Sequence, residues 1–340
     1  MWSLPPHSYN TSNMKRCVLH LASIVVIVAS TGCDKFPEEQ KVVSEQIMGT
    51  TITVTSVEGA DAVFDIFREV DATMSEWKAD SPLARVNNAA GDRAVRVPVD
   101  LFATVERSLQ IAELTSGAFD PTWATLWHLW KFDGSNNVPS QNQLDSLLPW
   151  VNWKGVILNE EDHSIYIPGG KLGLGGIAKG VALDRARDAL IAESTTDFMI
   201  VAGGQVLVQG LNEGRLWRIG IQTPEKRQNE YMAVLKVTNT CVSTSGDYEK
   251  YFEVDGIRYH HLIDPKTGHP ARGTRSVTVI TPDATLADAL STALFVMDPS
   301  RAIGLVNGMR NVEAVIIDEQ LVLHLSNNIA DKLELFVVIE

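Results

Sequence analysis

Two periodicities alternate along this chain. Across 61–74, Val63, Phe64, Ile66, Phe67 and Val70 recur at helical spacing and predict an amphipathic helix. Leu101, Val105, Leu109 and Ala112 repeat the pattern from Pro98 onward until Gly117 supplies a stop. Between N-terminus and first helix, Ile52-Thr53-Val54-Thr55 has the period of two expected of a strand. From 165 onward strands dominate the prediction, at 165–168, 198–208, 216–222, 232–242, 251–254, 257–263, 276–281, 313–317 and 321–326, with Asp255-Gly256 as a hairpin turn. Helices are predicted at about 177–193 and 285–298, and residues 133–148, rich in Ser, Asn, Gln and Pro, predict a surface connection. This order is neither a βαβ repeat nor all-β. It predicts an α+β fold, with mixed and antiparallel sheets and packed helices. No fixed-period repeat is visible, which excludes solenoids and propellers.

A different pattern marks the N-terminus. Met14, Lys15 and Arg16 precede an uncharged stretch from Cys17 to Ser30, followed by Thr31-Gly32-Cys33. Basic residues, a short apolar segment and small residues before a cleavage point form a secretory leader, and the apolar part is short of the roughly 20 residues of a membrane span. Ser30-Thr31-Gly32-Cys33 resembles a bacterial lipobox, with Ser30 where Leu is usual. The expected organisation is a lipoprotein signal peptide over 1–32, a polar lipid-anchored tether over 33–44 that begins at Cys33, and one domain over 45–340. A plain signal peptide or an uncleaved anchor are the alternatives, and all three place the mature chain outside the cytoplasm. Asp34 is similar to the residue that retains lipoproteins at the inner membrane, which predicts the periplasmic side of the bacterial inner membrane.

Charge narrows the function classes. The 340 residues carry 29 Lys plus Arg against 42 Asp plus Glu, a net charge of −13, which argues against a protein whose task is gripping nucleic acid. With Cys33 lipidated, Cys241 has no partner, so the domain is held by its core and Cys241 is expected at a buried strand position.

Three segments carry candidate chemistry. Gly173-Leu174-Gly175-Gly176-Ile177-Ala178-Lys179-Gly180 follows a strand and opens a helix, where bare backbone and free N–H groups suit a phosphate or another polar ligand. It matches the dinucleotide fingerprint in spacing only: Glu193 closes the helix itself, whereas the fingerprint needs an acid at the end of a second strand. Asp288 and Thr292, four residues apart on an otherwise apolar helix, place a carboxylate and a hydroxyl on one face and suit Mg²⁺. A capping box from Thr285 to Asp288 is the alternative for that carboxylate. Thr244-Ser245-Gly246-Asp247 leaves room for a flat or phosphorylated ligand, and His260-His261 near a strand end can hydrogen-bond or move protons. Each of these also reads as ordinary turn or strand-end chemistry.

Taken in order, the pieces resemble one family. Met48-Gly49-Thr50, Ser75-Glu76-Trp77 with Ser81 and Asn87, Gly117-Ala118-Phe119-Asp120-Pro121, Gly175 to Gly180 with Asp184, Gly203-Gly204, Thr244 to Tyr248, His260 to Gly268, and Ala287-Asp288-Ala289 with Thr292 are similar to the motifs of the ApbE-type FAD:protein FMN transferases. The resemblance covers residues 42 to 330. It implies an α+β fold with a module related to the tetrahydrobiopterin-enzyme-like T-fold. It also implies a Mg²⁺-dependent reaction, with Mn²⁺ not distinguished, in which a threonine hydroxyl of a partner flavoprotein attacks FAD, gains FMN and releases AMP. Carried over by position, Asp288 and Thr292 would ligate the metal with backbone oxygens at Gly176, Ala178 and Thr285. Met48, Trp77, Ala118, Phe119, Asp120, Gly173, Lys179, Thr244, Ser245 and His260 would line the flavin site, with Gly173 standing where the family usually has Asp. His261 or Asp247 is the hypothesised base. The implied partners are acceptor flavoprotein subunits of membrane redox complexes. Hydrolysis of FAD to FMN and AMP, or flavin binding without turnover, are the alternatives.

Overall fold

The computed structural model describes residues 40–132, 136–224 and 231–335. Cys33 and the rest of the expected leader lie outside the described residues. The chain opens with an antiparallel hairpin of β1 (Lys41–Ile47) and β2 (Thr50–Ser56), turned by Met48 (φ 54) and Gly49 (φ 69), the paired positive φ angles of a tight hairpin turn. Residues 41–44, expected in the tether, are instead paired with 53–56. An edge strand with outward polar side chains has the composition of a linker, and only its partner strand reveals it.

Next come α1 (Ala60–Met74), α2 (Pro82–Asn88), β3 (Val95–Arg96), α3 (Val99–Leu114), a 3-10 turn over Pro121–Leu126, α4 (Gln141–Leu147), β4 (Ile157–Asn159), β5 (Ser164–Tyr166) and α5 (Ala178–Ala192). The second half holds β6 (Phe198–Ala202), β7 (Gln205–Gln209), β8 (Trp217–Gln222), β9 (Tyr231–Val237), β10 (Thr240–Gly246), β11 (Tyr251–Val254), β12 (Ile257–His260) and β13 (Thr274–Thr281). It ends with α6 (Ala284–Val296), α7 (Pro299–Asn307), β14 (Glu313–Asp318), β15 (Leu323–Leu325) and β16 (Leu333–Leu335). An eight-stranded sheet in the order β1-β2-β6-β7-β10-β13-β14-β15 is the frame, and its pairings are antiparallel. Smaller sheets are β16-β9-β8, β3-β5-β4 and the β11-β12 hairpin.

Alternation on the strands assigns the faces. Cys241 of β10, Val277 and Val279 of β13 and Ala314 and Ile316 of β14 face the helices α1, α5 and α6 in the main core. The intervening Val242, Ile280, Val315 and Ile317 face the sheet of β8 and β9 in a second core. Cys241 is buried and free, as its run of neighbours predicts.

Two long strand expectations split. Gly203 (φ +61) turns β6 into β7, and Asn239 (φ 49) turns β9 into β10, which lie in different sheets. α4 stands inside the expected surface connection, held by a capping box from Ser140 and Gln143. Among the described residues no helix is long and apolar enough to cross a membrane.

Candidate active site

The site is organised by two close backbone approaches that only glycine permits. At Gly180 in α5, a Cβ would stand 2.3 Å from the Ala284 carbonyl oxygen, so the first turns of α5 and α6 touch. At Gly204, a Cβ would stand 2.6 Å from the Thr244 carbonyl oxygen, so the β6–β7 turn docks on β10. Together they bring the Gly180 N–H to 3.0 Å from Asp288 Oδ2 and the Gln205 side-chain amide to 2.6 Å from Asp288 Oδ1.

Asp288 is 2% exposed, and desolvation pushes its pKa up against the pull of Lys179, whose Nζ lies 3.9 Å away. The capping-box alternative does not hold: Asp283 caps α6 by accepting from the Leu286 N–H at 2.7 Å, while the Thr285 hydroxyl and N–H go to Asp184. Asp288 also receives backbone N–H groups of Lys179 and Gly180. The donors expected at this helix start for a phosphate are therefore directed at the carboxylate.

One turn further along α6, Thr292 Oγ1 lies 3.5 Å from where Gly176 would carry a Cβ, and Gln205 Oε1 is buried with no hydrogen-bond partner among the described residues. A buried carboxylate, a hydroxyl and an orphaned amide oxygen that converge beside bare backbone fit a small hard cation. No cluster of three His, Cys, Asp or Glu exists among the described residues, so such an ion would rest on one carboxylate with neutral oxygens.

These groups open onto a cavity of about 350 Å³. Met48, Trp77, Ala118, Phe119, Asp120, Gly176, Lys179, Thr244, Ser245, His261, Asp288 and Thr292 all line it, as expected. Trp77 is 65% exposed at the rim, edge-on to Trp127 at 5.8 Å, and is not a core residue. Asp120 has a structural task as well, accepting from the Thr122 N–H at 2.8 Å and the Thr122 hydroxyl at 2.6 Å, and burial raises its pKa.

Five expected residues do not line the cavity. His260 and His261 are strand neighbours and point to opposite sides, so His260 Nε2 meets the Ala271 carbonyl at 2.9 Å and its ring packs on Phe295 in the core. Asp247 is held by Arg275 Nε at 2.8 Å and Arg258 Nη1 at 3.3 Å, which commits it to an ion-pair cluster and removes it as a base. Ala178 is buried in the main core, and Thr285 is bound to Asp184. Gly173 is packed under the 3-10 turn, where a Cβ would stand 2.6 Å from Ala124 Cβ.

His261 keeps its place. Its Nδ1 lies 3.3 Å from the Lys250 carbonyl, and desolvation lowers its pKa to about 4, so the ring is neutral at pH 7. With Nδ1–H donating to that carbonyl, Nε2 is left as an acceptor. Glu76, Trp123, Trp127, Gln205 and Lys250 line the cavity without having been singled out in the sequence. Only Glu76 lay inside a recognised motif. The two tryptophans follow the motif at Asp120-Pro121, and nothing in their spacing marks them.

The model of the ApbE family matches residues 48–316. An FAD:protein FMN transferase of Vibrio cholerae is 32% identical over 302 residues, spanning 85% of this chain and 89% of the relative. The FAD:protein FMN transferase of Escherichia coli K12 is 32% identical over 307 residues, spanning 83% and 87%. Among solved structures, the ApbE protein of Thermotoga maritima superposes with a TM-score of 0.81 at 33% identity, covering 86% of this chain and 99% of the other. The flavin transferase ApbE of Vibrio cholerae gives 0.78 at 27% identity, covering 87% and 100%.

Proposed function

The chain belongs to the ApbE family and is a transferase that moves FMN from FAD to a protein, and on that premise we propose that a threonine hydroxyl is the acceptor and that Asp288 and Thr292 hold Mg²⁺ for the reaction. The observation that carries this is the buried Asp288, with Thr292, Gln205 and Lys179, in the wall of a cavity that is also lined by Trp77, Phe119, Trp123 and Trp127. A cation held there would supply charge neutralisation to the phosphate oxygens. Asp288 and Thr292 would be its side-chain ligands, with Gly176 beside Thr292. Mn²⁺ would find the same donors.

The remaining residues supply positioning. Trp77 and Phe119 offer ring faces to the flat parts of FAD. The Lys179 ammonium, fixed by the Gly175 carbonyl at 3.1 Å, faces the cavity as a partner for the pyrophosphate. His261 Nε2 accepts the threonine proton as the new O–P bond forms, the pyrophosphate bond breaks and AMP leaves with the electron pair.

Cellular placement follows from the leader. Lipidation at Cys33 and a periplasmic position on the inner membrane would set the site beside acceptor flavoprotein subunits of membrane redox complexes. Incubating the chain, trimmed to begin after Cys33, with FAD, Mg²⁺ and a flavoprotein domain bearing an acceptor threonine should release one AMP per flavinylated threonine. AMP and free FMN in equal amounts, with the acceptor unlabelled, would instead establish hydrolysis.

A further inference from the structure

Glu76 and Trp123 form a polar pair on the cavity wall that the transfer chemistry leaves without a role. Glu76 follows the end of α1 and reaches across to the glycine-rich segment before α5, its Oε1 3.3 Å from the position of a Cβ on Gly173 and 3.9 Å from one on Gly175. Trp123 Nε1 lies 3.5 Å from the same point at Gly173. A side chain at 173 would collide with Ala124, so the bare glycine lets the 3-10 turn press against that segment and brings the indole N–H and the carboxylate to one place. Both residues line the cavity, and no hydrogen bond joins Trp123 Nε1 to an acceptor among the described residues. Glu76 carries a pKa raised by desolvation, with its own backbone N–H and the charge of Lys179 opposing the rise. Lys179 also attracts Asp288, so one ammonium serves two carboxylates of the cavity wall. An ionised Glu76 would repel phosphate, and toward a ligand it acts as an acceptor.

We infer that Glu76 and Trp123 read the polar edge of a flat ring, Glu76 accepting from a ring N–H or amino group and Trp123 donating to the carbonyl or ring nitrogen beside it. FAD carries two such edges, one on its flavin and one on its adenine, and the pair is a positioning device for one of them. This rests on the transferase reading above. A hydrogen bond to a charged acceptor in a half-buried site contributes about 1.5–3 kcal/mol, which is a change of roughly tenfold or more in Kd.

The test is titration calorimetry of FAD, FMN and ADP with the whole chain and with Glu76→Ala, Glu76→Gln and Trp123→Phe, together with thermal melts. Glu76→Ala should weaken FAD about tenfold and weaken only one fragment: FMN if the flavin edge is read, ADP if the adenine edge is. Glu76→Gln, whose amide oxygen still accepts, should recover most of the loss, and Trp123→Phe should weaken the same fragment with the melt unchanged. Unchanged affinity in the variants, or equal weakening of both fragments, would overturn the inference while leaving the transferase reading intact. Failure of the unaltered chain to bind FAD, FMN and ADP alike would overturn the transferase reading itself.

Discussion

The two faces of the eight-stranded sheet are made by the same strands and differ in the polarity they bury. Under the small sheet, Trp217, Ile219, Leu235, Val315 and Ile317 form an apolar layer, bordered by the buried Thr278, whose hydroxyl pairs with that of Thr244 at 2.9 Å. Under α6, the apolar layer is broken by buried Gln205, Ser243, Ser291 and Asp288. Each buried polar group costs free energy unless it finds a partner. Ser291 hydrogen-bonds Ser243 and Ser245, Asp288 takes two backbone N–H groups and an amide, and only Gln205 Oε1 is left over. One face of the sheet therefore holds the fold, and the other holds a charged centre in place at some expense of stability. Substitutions on the two faces should separate stability from activity.

The sharpest separation is expected at Asp288. Asp288→Asn keeps the shape and removes the charge, and a flip of the Gln205 side chain can turn its free Oε1 toward the new amide N–H; FMN transfer should fall by about 10³-fold while the melting temperature moves by only a few degrees. On the opposite face, Leu235→Ala should destabilise the domain by about 3 kcal/mol, measured by urea denaturation, with the transfer rate per folded molecule unchanged. Loss of activity in folded Leu235→Ala would break the distinction between the faces. Thr292→Val, which removes one hydroxyl, should slow transfer about 10²-fold and weaken metal binding in calorimetry.

A titration sharpens the comparison further. His260, packed on Phe295 of α6, has its pKa lowered by burial to about 3, against 6.5 in the unfolded chain. The unfolded state then binds more protons, so stability is lost as pH falls below 6.5, by about 2 kcal/mol at pH 5. Denaturation midpoints at pH 7 and pH 5 measure this, and His260→Leu should flatten the difference. The smallest effect is expected for Ser291→Ala, about 1 kcal/mol of stability with transfer nearly intact, since neutral partners remain for Ser243 and Ser245 only in water or each other.

Much of this arrangement can be read along the chain. α1, α3, α5 and α6 match the structure to within three residues at each end: α1 and α3 carry long amphipathic periods, α6 a long apolar run, and α5 a glycine-rich start. α2, α4 and α7 were not anticipated, although Ser81-Pro82, Ser140 with Gln143, and Asp298-Pro299 provide cap or first-turn signals. These helices have 7, 7 and 9 residues, too few for a period to rise above a polar composition. In the site, Asp288 and Thr292 were legible because a carboxylate on an apolar helix demands a partner. Choosing between His260 and His261 required the orientation of the strand end. Asp247 looked available because Arg258 and Arg275 come from other strands, 11 and 28 residues away. Trp123 and Trp127 enter the cavity only through the packing of a 3-10 turn against Gly173, which no local pattern encodes.

If the charged centre under α6 performs the transfer, the intact mass of a threonine-bearing acceptor reports it most directly, after incubation with FAD and either the unaltered chain or Asp288→Asn, each with Mg²⁺ and with EDTA. A gain of one FMN is expected with the unaltered chain and Mg²⁺ alone, abolished by EDTA, restored by added Mg²⁺, and absent with a folded Asp288→Asn chain. Full labelling of the acceptor by Asp288→Asn, or in EDTA, would place the transfer elsewhere.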